Sequence, residues 1–261
     1  MTAIPDGAPV LELRGVTKQY GAFKAVDDVS ISLPRGERHG LIGPNGAGKT
    51  TLFNLIAGTL RVSSGRVLLK GDDMTSAGEH TRARAGVGRT FQHSSLFATM
   101  TCAENLALAV RRASGWGTAW YLPAGRRRAV AEDTDRLLDV VSLSERGHDL
   151  VADLSHGERR QLEVAMALAG NPELLLFDEP TAGMSPIETA QFTELVLELP
   201  GDLTVLVIEH DLDVVFSVAD RLSVLAAGSL LEQGPPDQIR SSPQVEDVYL
   251  GTGHEEVFIS S

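Results

Sequence analysis

Gly43-Pro44-Asn45-Gly46-Ala47-Gly48-Lys49-Thr50 puts three glycines, a lysine and a threonine within eight positions. This spacing fits the P-loop pattern G-x-x-x-x-G-K-[S/T]. Glycines let successive backbone N–H groups curl around a phosphate, because no Cβ blocks the approach. Lys49 can reach β- and γ-phosphates, and the Thr50 hydroxyl can take one Mg²⁺ position. Further along, Leu174-Leu175-Leu176-Phe177-Asp178-Glu179 sets two acids behind four apolar residues. That is the Walker B arrangement. Asp178 can help hold Mg²⁺, mainly through its water shell, and Glu179 can orient and polarise an attacking water. The two acids lie side by side at the end of one buried strand, so their side chains must point in opposite directions and cannot share one role. Glu209-His210-Asp211 closes another apolar run and offers a histidine at a strand end.

The elements around these residues must present them. Arg38 to Ile42 holds the run HGLI and reads as a buried strand, and Thr51 to Ala57 reads as a helix ended by Gly58. Strand, glycine loop, helix is the context that the pattern needs, since the helix N-terminus favours an anion. Val10 to Tyr20 alternates apolar and polar residues and reads as an edge strand. Val29 to Leu33 pairs with it, Pro34-Arg35-Gly36-Glu37 turns, and Ser64-Gly65 opens a strand over Arg66 to Lys70. Together these segments predict a small antiparallel sheet. Tyr20, on that sheet, either covers its own core or offers a π-face to a purine ring. A β-like run from Gly86 ends at Gln92, and Thr101-x-x-Glu104 forms a capping box opening a helix over Cys102 to Arg111.

Arg111 to Arg128 carries five arginines with Trp116, Trp120 and Tyr121 between them, and reads as a basic, aromatic loop. Such a loop either packs its aromatics on neighbouring helices or meets a partner or lipid headgroups. A helix over Ala129 to Val141 follows. Ser155 then stands as an N-cap with Glu158 completing a capping box, which by itself needs no ligand, and that helix runs to Ala169. Leu203 to Ile208 is a buried strand, Arg221 to Leu225 and Ser229 to Glu232 form a closing hairpin, and a short helical tail includes Val248 to Gly251. The last ten residues read as frayed.

Composition narrows the function classes. The chain has 261 residues, 43% of them hydrophobic, and a formal net charge of −12. One large domain, or one with a small subdomain, suits that length. An acidic chain is a poor general nucleic-acid binder. The single cysteine, Cys102, excludes an internal disulfide, suggests a reducing compartment, and reads as an apolar filler on a helix. The N-terminus lacks signal-peptide character. No apolar stretch reaches the ~18 residues of a membrane span. If membranes matter, the chain docks on another that crosses them.

Taken in order, the glycine loop, Gln92, a helical insert, Leu154-Ser155-His156-Gly157-Glu158, Walker B and His210 resemble the ATP-binding cassette (ABC) family, from about Val10 to Gly251. The GTPase alternative lacks its N-K-x-D motif. A chromosome-type ATPase would need long coiled coils between the Walker motifs. The resemblance implies an α/β fold: a P-loop NTPase core with a mixed sheet, a small antiparallel β subdomain and an inserted α-helical subdomain. On that basis residues 9–95 and 154–235 form the core, residues 96–153 the helical subdomain with insert 111–128, and residues 236–261 a helical tail. It implies ATP and Mg²⁺ as cofactors. Glu179, His210 and Gln92 become catalytic. Tyr20, the loop from Gly43 to Thr50, Thr51, Ser155, Gly157 and Glu158 become nucleotide-binding. Thr50, Gln92 and Asp178 become metal-associated.

Closer likenesses narrow the branch. RTFQHSSLF around Gln92, the basic insert, AGMSP after Walker B, EHDLDVV and the terminal VYLG are similar to ATPases of branched-chain amino acid, amide and urea importers. The lipopolysaccharide-export ATPase shares the tail but generally lacks the insert, and a soluble scaffold ATPase is a further alternative. The branch implies transmembrane permeases, a second cassette docked head to tail, and indirectly an external solute-binding protein. It implies a peripheral location on the cytoplasmic face. Each P-loop would then face the partner's Ser155 segment. The usual signature reads LSGGQ, so His156 and Glu158 depart from it. His156 must turn its ring away from a nucleotide there.

Overall fold

The computed structural model describes residues 8–90, 96–117 and 123–250. Strand β1 (Leu11–Tyr20) is followed by β2 (Phe23–Leu33), β3 (Arg38–Ile42), helix α1 (Lys49–Ala57), β4 (Ser64–Leu69), β5 (Asp72–Asp73), α2 (Glu79–Arg84) and β6 (Val87–Arg89). Helices α3 (Cys102–Ala113), α4 (Ala124–Val140) and α5 (His156–Leu168) come next. Then follow β7 (Leu174–Asp178), α6 (Pro186–Glu198), β8 (Thr204–Ile208), α7 (Leu212–Val218), β9 (Arg221–Ala226), β10 (Ser229–Gly234), α8 (Pro236–Arg240) and α9 (Pro243–Leu250).

Two sheets organise these elements. The larger runs β10-β9-β3-β8-β7-β6, parallel throughout except for β10. Strands β7 and β8 are apolar almost without interruption and β3 is buried from His39 on, as strands covered on both faces must be. Because β3, β8 and β7 are adjacent and parallel, their C-terminal ends emerge on one side. In open α/β sheets that side binds ligands. The smaller sheet is antiparallel, in the order β2-β1-β4-β5.

One cluster of buried side chains lies between the two sheets around α1, and a second packs α3, α4, α5 and α6 on the other face. Cys102 is buried in the helical cluster, a small apolar filler as expected. The buried Arg82 guanidinium donates to the Leu55 and Ile56 carbonyls at the end of α1, the latter at 2.7 Å, where a helix leaves acceptors unpaired.

Three expectations need correcting. β1 is no edge strand, since β2 pairs along one side and β4 along the other. Its alternation records one covered and one wetter face, which interior strands of antiparallel sheets also show. The run from Gly86 stops as a strand at Arg89, and Gln92 lies outside the described residues. Much of the basic insert is helical: α3 extends to Ala113 and α4 begins at Ala124, so Arg126 to Arg128 sit on a helix. The stretch AGRRRAVAEDTDR consists mostly of good helix formers behind Pro123, and Arg128 pairs with Glu132 one turn on at 2.7 Å. The closing hairpin forms as expected from β9 and β10. β9 pairs with β3 and extends the main sheet. Trp116 packs on the helical cluster with the Arg126 guanidinium 5.1 Å from its ring. Trp120, Tyr121 and the last eleven residues lie outside the described residues.

Candidate functional site

The loop leaving β3 is forced into shape by close backbone neighbours. Gly43 has φ +150°, and a Cβ there would sit 2.2 Å from the Leu225 carbonyl oxygen. Gly48 has φ +101°, and its Cβ would sit 2.4 Å from the Ala25 carbonyl oxygen. Neither position accepts a side chain. The Gly228 N–H donates to the Ala47 carbonyl at 3.1 Å, so the β9–β10 turn braces the loop from outside. At Gly46 a Cβ would meet nothing within 4 Å, which leaves that side of the loop open to a ligand.

Lys49 is buried, only 5% exposed, and donates to the carbonyls of Gly43 at 2.5 Å and Pro44 at 3.1 Å. Burial holds its ammonium below the usual lysine range, and the Glu179 carboxylate opposes that shift. Backbone carbonyls thus occupy the donors that a phosphate would take. Thr50 is exposed at the start of α1 and Thr51 is half-buried beside it.

Asp178 ends β7 with both carboxylate oxygens buried and without a hydrogen-bond partner among the described residues, at 1% exposure. Burial, followed by the charge of Glu179, raises its pKa. A buried carboxylate in that state fits a cation. A single protein carboxylate suits Mg²⁺, which relies on substrate phosphates and water for the rest.

Glu179 follows with φ +47°, a left-handed backbone that ends the strand. The pleat therefore does not set its direction, contrary to the alternation expected of two strand residues. Its N–H donates to the Ile208 carbonyl at 2.8 Å, and His210 Nε2 lies 2.6 Å from Glu179 Oε1. Lys49 at the start of α1 is thus gathered with Asp178, Glu179 and His210 from the ends of β7 and β8.

Tyr20 is 50% exposed, facing Phe23 across the β1–β2 hairpin, and Phe23 is exposed as well. Since Ala25 touches the loop at Gly48, this aromatic hairpin end lies next to it.

Ser155, Gly157 and Glu158 belong to a different neighbourhood. Ser155 caps α5 in a reciprocal capping box with Glu158, as the spacing predicts. The Glu158 carboxylate accepts from the Ser155 N–H at 2.7 Å and pairs with Arg146 at 3.1 Å. His156 turns its ring onto the Ala182 carbonyl, with Nε2 at 3.2 Å. The Gly157 N–H donates to Glu188 Oε1 at 2.9 Å.

Glu188, Arg160 and Glu209 escape the sequence reading. Glu188 also caps α6 through Ser185 and holds its carboxyl down at about 2, chiefly by hydrogen bonds from the Ser185 and Gly157 backbone. The capping pattern Ser185-x-x-Glu188 was visible; its reach to Gly157 was not. Arg160 extends from α5 to the Asp178 carbonyl at 3.3 Å. Glu209 is buried beside His210.

The ABC transporter family model matches residues 26–182. The chain is 38% identical over 250 residues to the high-affinity branched-chain amino acid transport ATP-binding protein LivG of Escherichia coli K12, covering 93% of this chain and 98% of LivG. It is 36% identical over 245 residues to the lipopolysaccharide export system ATP-binding protein LptB of Haemophilus influenzae, covering 93% and 97%. The crystal structure of the ADP conformation of MJ1267, an ATP-binding cassette of an ABC transporter, superimposes with a TM-score of 0.82 at 31% identity, covering 93% of this chain and 99% of that one. Matches of that extent, on a chain whose loop and acids are arranged as above, have one consequence: the protein belongs to the ABC transporter family, as an ATP-hydrolysing cassette.

Proposed function

We propose that this chain drives an importer for branched-chain amino acids or related amides and urea, from the cytoplasmic face of a membrane. The observation that carries the chemistry is the Glu179–His210 contact beside the Asp178 carboxylate, which has no partner among the described residues. Lys49 exchanges the Gly43 and Pro44 carbonyls for phosphate oxygens. Gly46 and its neighbours leave room for those oxygens. Tyr20 offers a face to the adenine. Glu179 takes the proton of an attacking water, and His210 holds the carboxylate in place. Thr50, Gln92 and Asp178 would hold Mg²⁺, which neutralises charge on the β- and γ-phosphate oxygens when bound. Residues 9–95 and 154–235 act as the nucleotide core and residues 96–153 as a helical lever.

The amino acid reading draws on the likeness to LivG. No described helix is long and apolar enough to cross a membrane, so the solute path belongs to permease partners. Phe97 and Leu150 are exposed on neighbouring segments of the helical region, joined by the Ala152 N–H to the Ala98 carbonyl and the Val151 N–H to the Met100 carbonyl. They supply apolar surface for a permease. In a head-to-tail pair of cassettes, the Ser155 and Gly157 N–H groups exchange the Glu158 and Glu188 carboxylates for oxygens of the partner's γ-phosphate. The solute-binding protein meets this chain only through the permeases.

Co-expression with permeases encoded beside this chain, reconstitution into liposomes and uptake of labelled leucine test the reading. We expect ATP-dependent uptake with the native chain. Lys49→Ala removes a charge-assisted phosphate contact worth roughly 1.5–3 kcal/mol, and should abolish both ATP binding at micromolar nucleotide and uptake. Uptake that survives Lys49→Ala would sink the loop assignment. ATP-dependent extraction of lipopolysaccharide without leucine uptake would favour the export reading, which the comparable likeness to LptB supports.

A further inference from the structure

Glu209 directly follows β8 as a buried carboxylate, 4% exposed, with no role in the chemistry above. Its Oε1 accepts from the Thr181 N–H and from the Thr181 hydroxyl, both at 2.7 Å. Its Oε2 accepts from the His210 N–H at 3.1 Å. Thr181 lies two residues beyond Glu179, in the turn that leaves β7. The contacts therefore close a ring, from Glu179 along the chain to Thr181, through the Glu209 carboxylate to His210, and back to Glu179 at 2.6 Å.

A buried carboxylate beside Asp178 and Glu179 is electrostatically unfavourable, and its charge helps to raise the Asp178 pKa. A serine or an apolar residue could end a buried strand without that cost. The hydrogen bonds show what offsets it. Glu179 has left-handed backbone, and His210 is exposed past the end of its strand. Neither position is held by regular pairing on both sides. The carboxylate supplies the missing tie, using one oxygen for each loop.

We propose that Glu209 is a positioning residue for ATP hydrolysis. It clamps the Thr181 turn to the His210 backbone and so sets the separation of the Glu179–His210 pair. The inference rests on the reading of Glu179 and His210 as the hydrolytic pair.

Glu209→Gln tests it. Glutamine keeps the volume but has one acceptor oxygen, so it can hold Thr181 or His210 but not both. The readouts are phosphate release, binding of a fluorescent ATP analogue and melting temperature of the purified chain. Misplacement of catalytic groups by about 1 Å costs up to ~10²-fold, so we expect kcat to fall roughly 10- to 100-fold. KM and nucleotide affinity should stay within about twofold, the signature of an interaction that serves the transition state alone. Thr181→Val removes only the hydroxyl donor and leaves the backbone N–H on the carboxylate, so it should lower kcat by a smaller factor, about threefold.

Wild-type kcat in Glu209→Gln would overturn the proposal. So would a fall in nucleotide affinity and melting temperature in step with kcat, which marks a residue that only stabilises the fold. If Glu209→Gln does not fold, Thr181→Val decides, and an unchanged kcat there overturns it. Glu179→Gln is measured alongside. Full turnover in that variant removes the hydrolytic pair and this inference with it, whereas an inactive Glu179→Gln beside a fully active Glu209→Gln removes this inference alone.

Discussion

Glu179 stands just past the end of β7 with a backbone that few non-glycine residues adopt. The left-handed turn swings its carboxylate to His210 Nε2 and leaves Asp178 alone in the buried strand end. Two adjacent acids thereby acquire different surroundings, the condition for dividing metal binding from proton transfer. A glutamine at position 179 keeps the shape and loses the base. We expect Glu179→Gln to bind ATP normally and to hydrolyse it about 10²–10⁴-fold more slowly. Bound ATP would then persist, and the variant should elute as a dimer with ATP and Mg²⁺ in size-exclusion chromatography with light scattering. Near-wild-type phosphate release would take Glu179 out of the catalytic role. A monomeric, ATP-loaded variant would point to a sister cassette as the required partner.

At the scale of elements, the contact between α5 and α6 is the one that sequence spacing does not announce. Each helix begins with a reciprocal capping box. Glu188 of α6 serves its own cap and also accepts from Gly157 of α5. A Cβ on Gly157 would lie 2.9 Å from Glu188 Cγ, so the neighbouring helix requires that glycine in its own right. Together with the His156–Ala182 contact, this ties the Ser155 segment to the turn after Walker B.

The linkage has a definite sign. The Glu188 carboxyl is lowered from its ordinary 4.5 to about 2, so its contribution is full above pH 4.5 and is lost as pH falls towards 2. Glu188→Gln keeps a capping side chain but cannot titrate. Its melting temperature should therefore fall less steeply than the wild type's between pH 4.5 and 2. Parallel acid limbs in scanning calorimetry would show that the carboxylate does not couple to folding.

For the whole molecule, the open question is what the helical region touches. Arginines 126 to 128 stand on α4 in a chain of net charge −12, and Trp116 is packed under Arg126. The stretch between α3 and α4 is remote in sequence from every residue proposed to meet ATP. We expect replacement of residues 114–123 by a short Gly/Ser linker to leave ATP binding by the isolated chain unchanged. Co-purification with the permeases, or leucine uptake, should weaken. Wild-type assembly and uptake would reduce the segment to a packing loop.

The order of local signals was enough to identify the family and to single out Lys49, Asp178, Glu179 and His210 as the candidate site. A glycine loop between strand and helix, two acids behind an apolar run, and two capping boxes are statements about neighbours in sequence, and backbone sterics and hydrogen-bond demand make them readable there. The small antiparallel sheet was legible for the same reason. Tertiary structure alone decided what depends on distant partners. β1 became an interior strand because β4 returns to pair with it. Arg126 to Arg128 joined a helix whose apolar side is covered by α3 and α5. Glu209 and Glu188 gained their contacts from segments about thirty residues away, at Thr181 and Gly157. Hydrogen bonds between segments so far apart in the chain leave no periodicity in the sequence, because the sheet order and helix packing that create them are fixed only when the whole core is assembled.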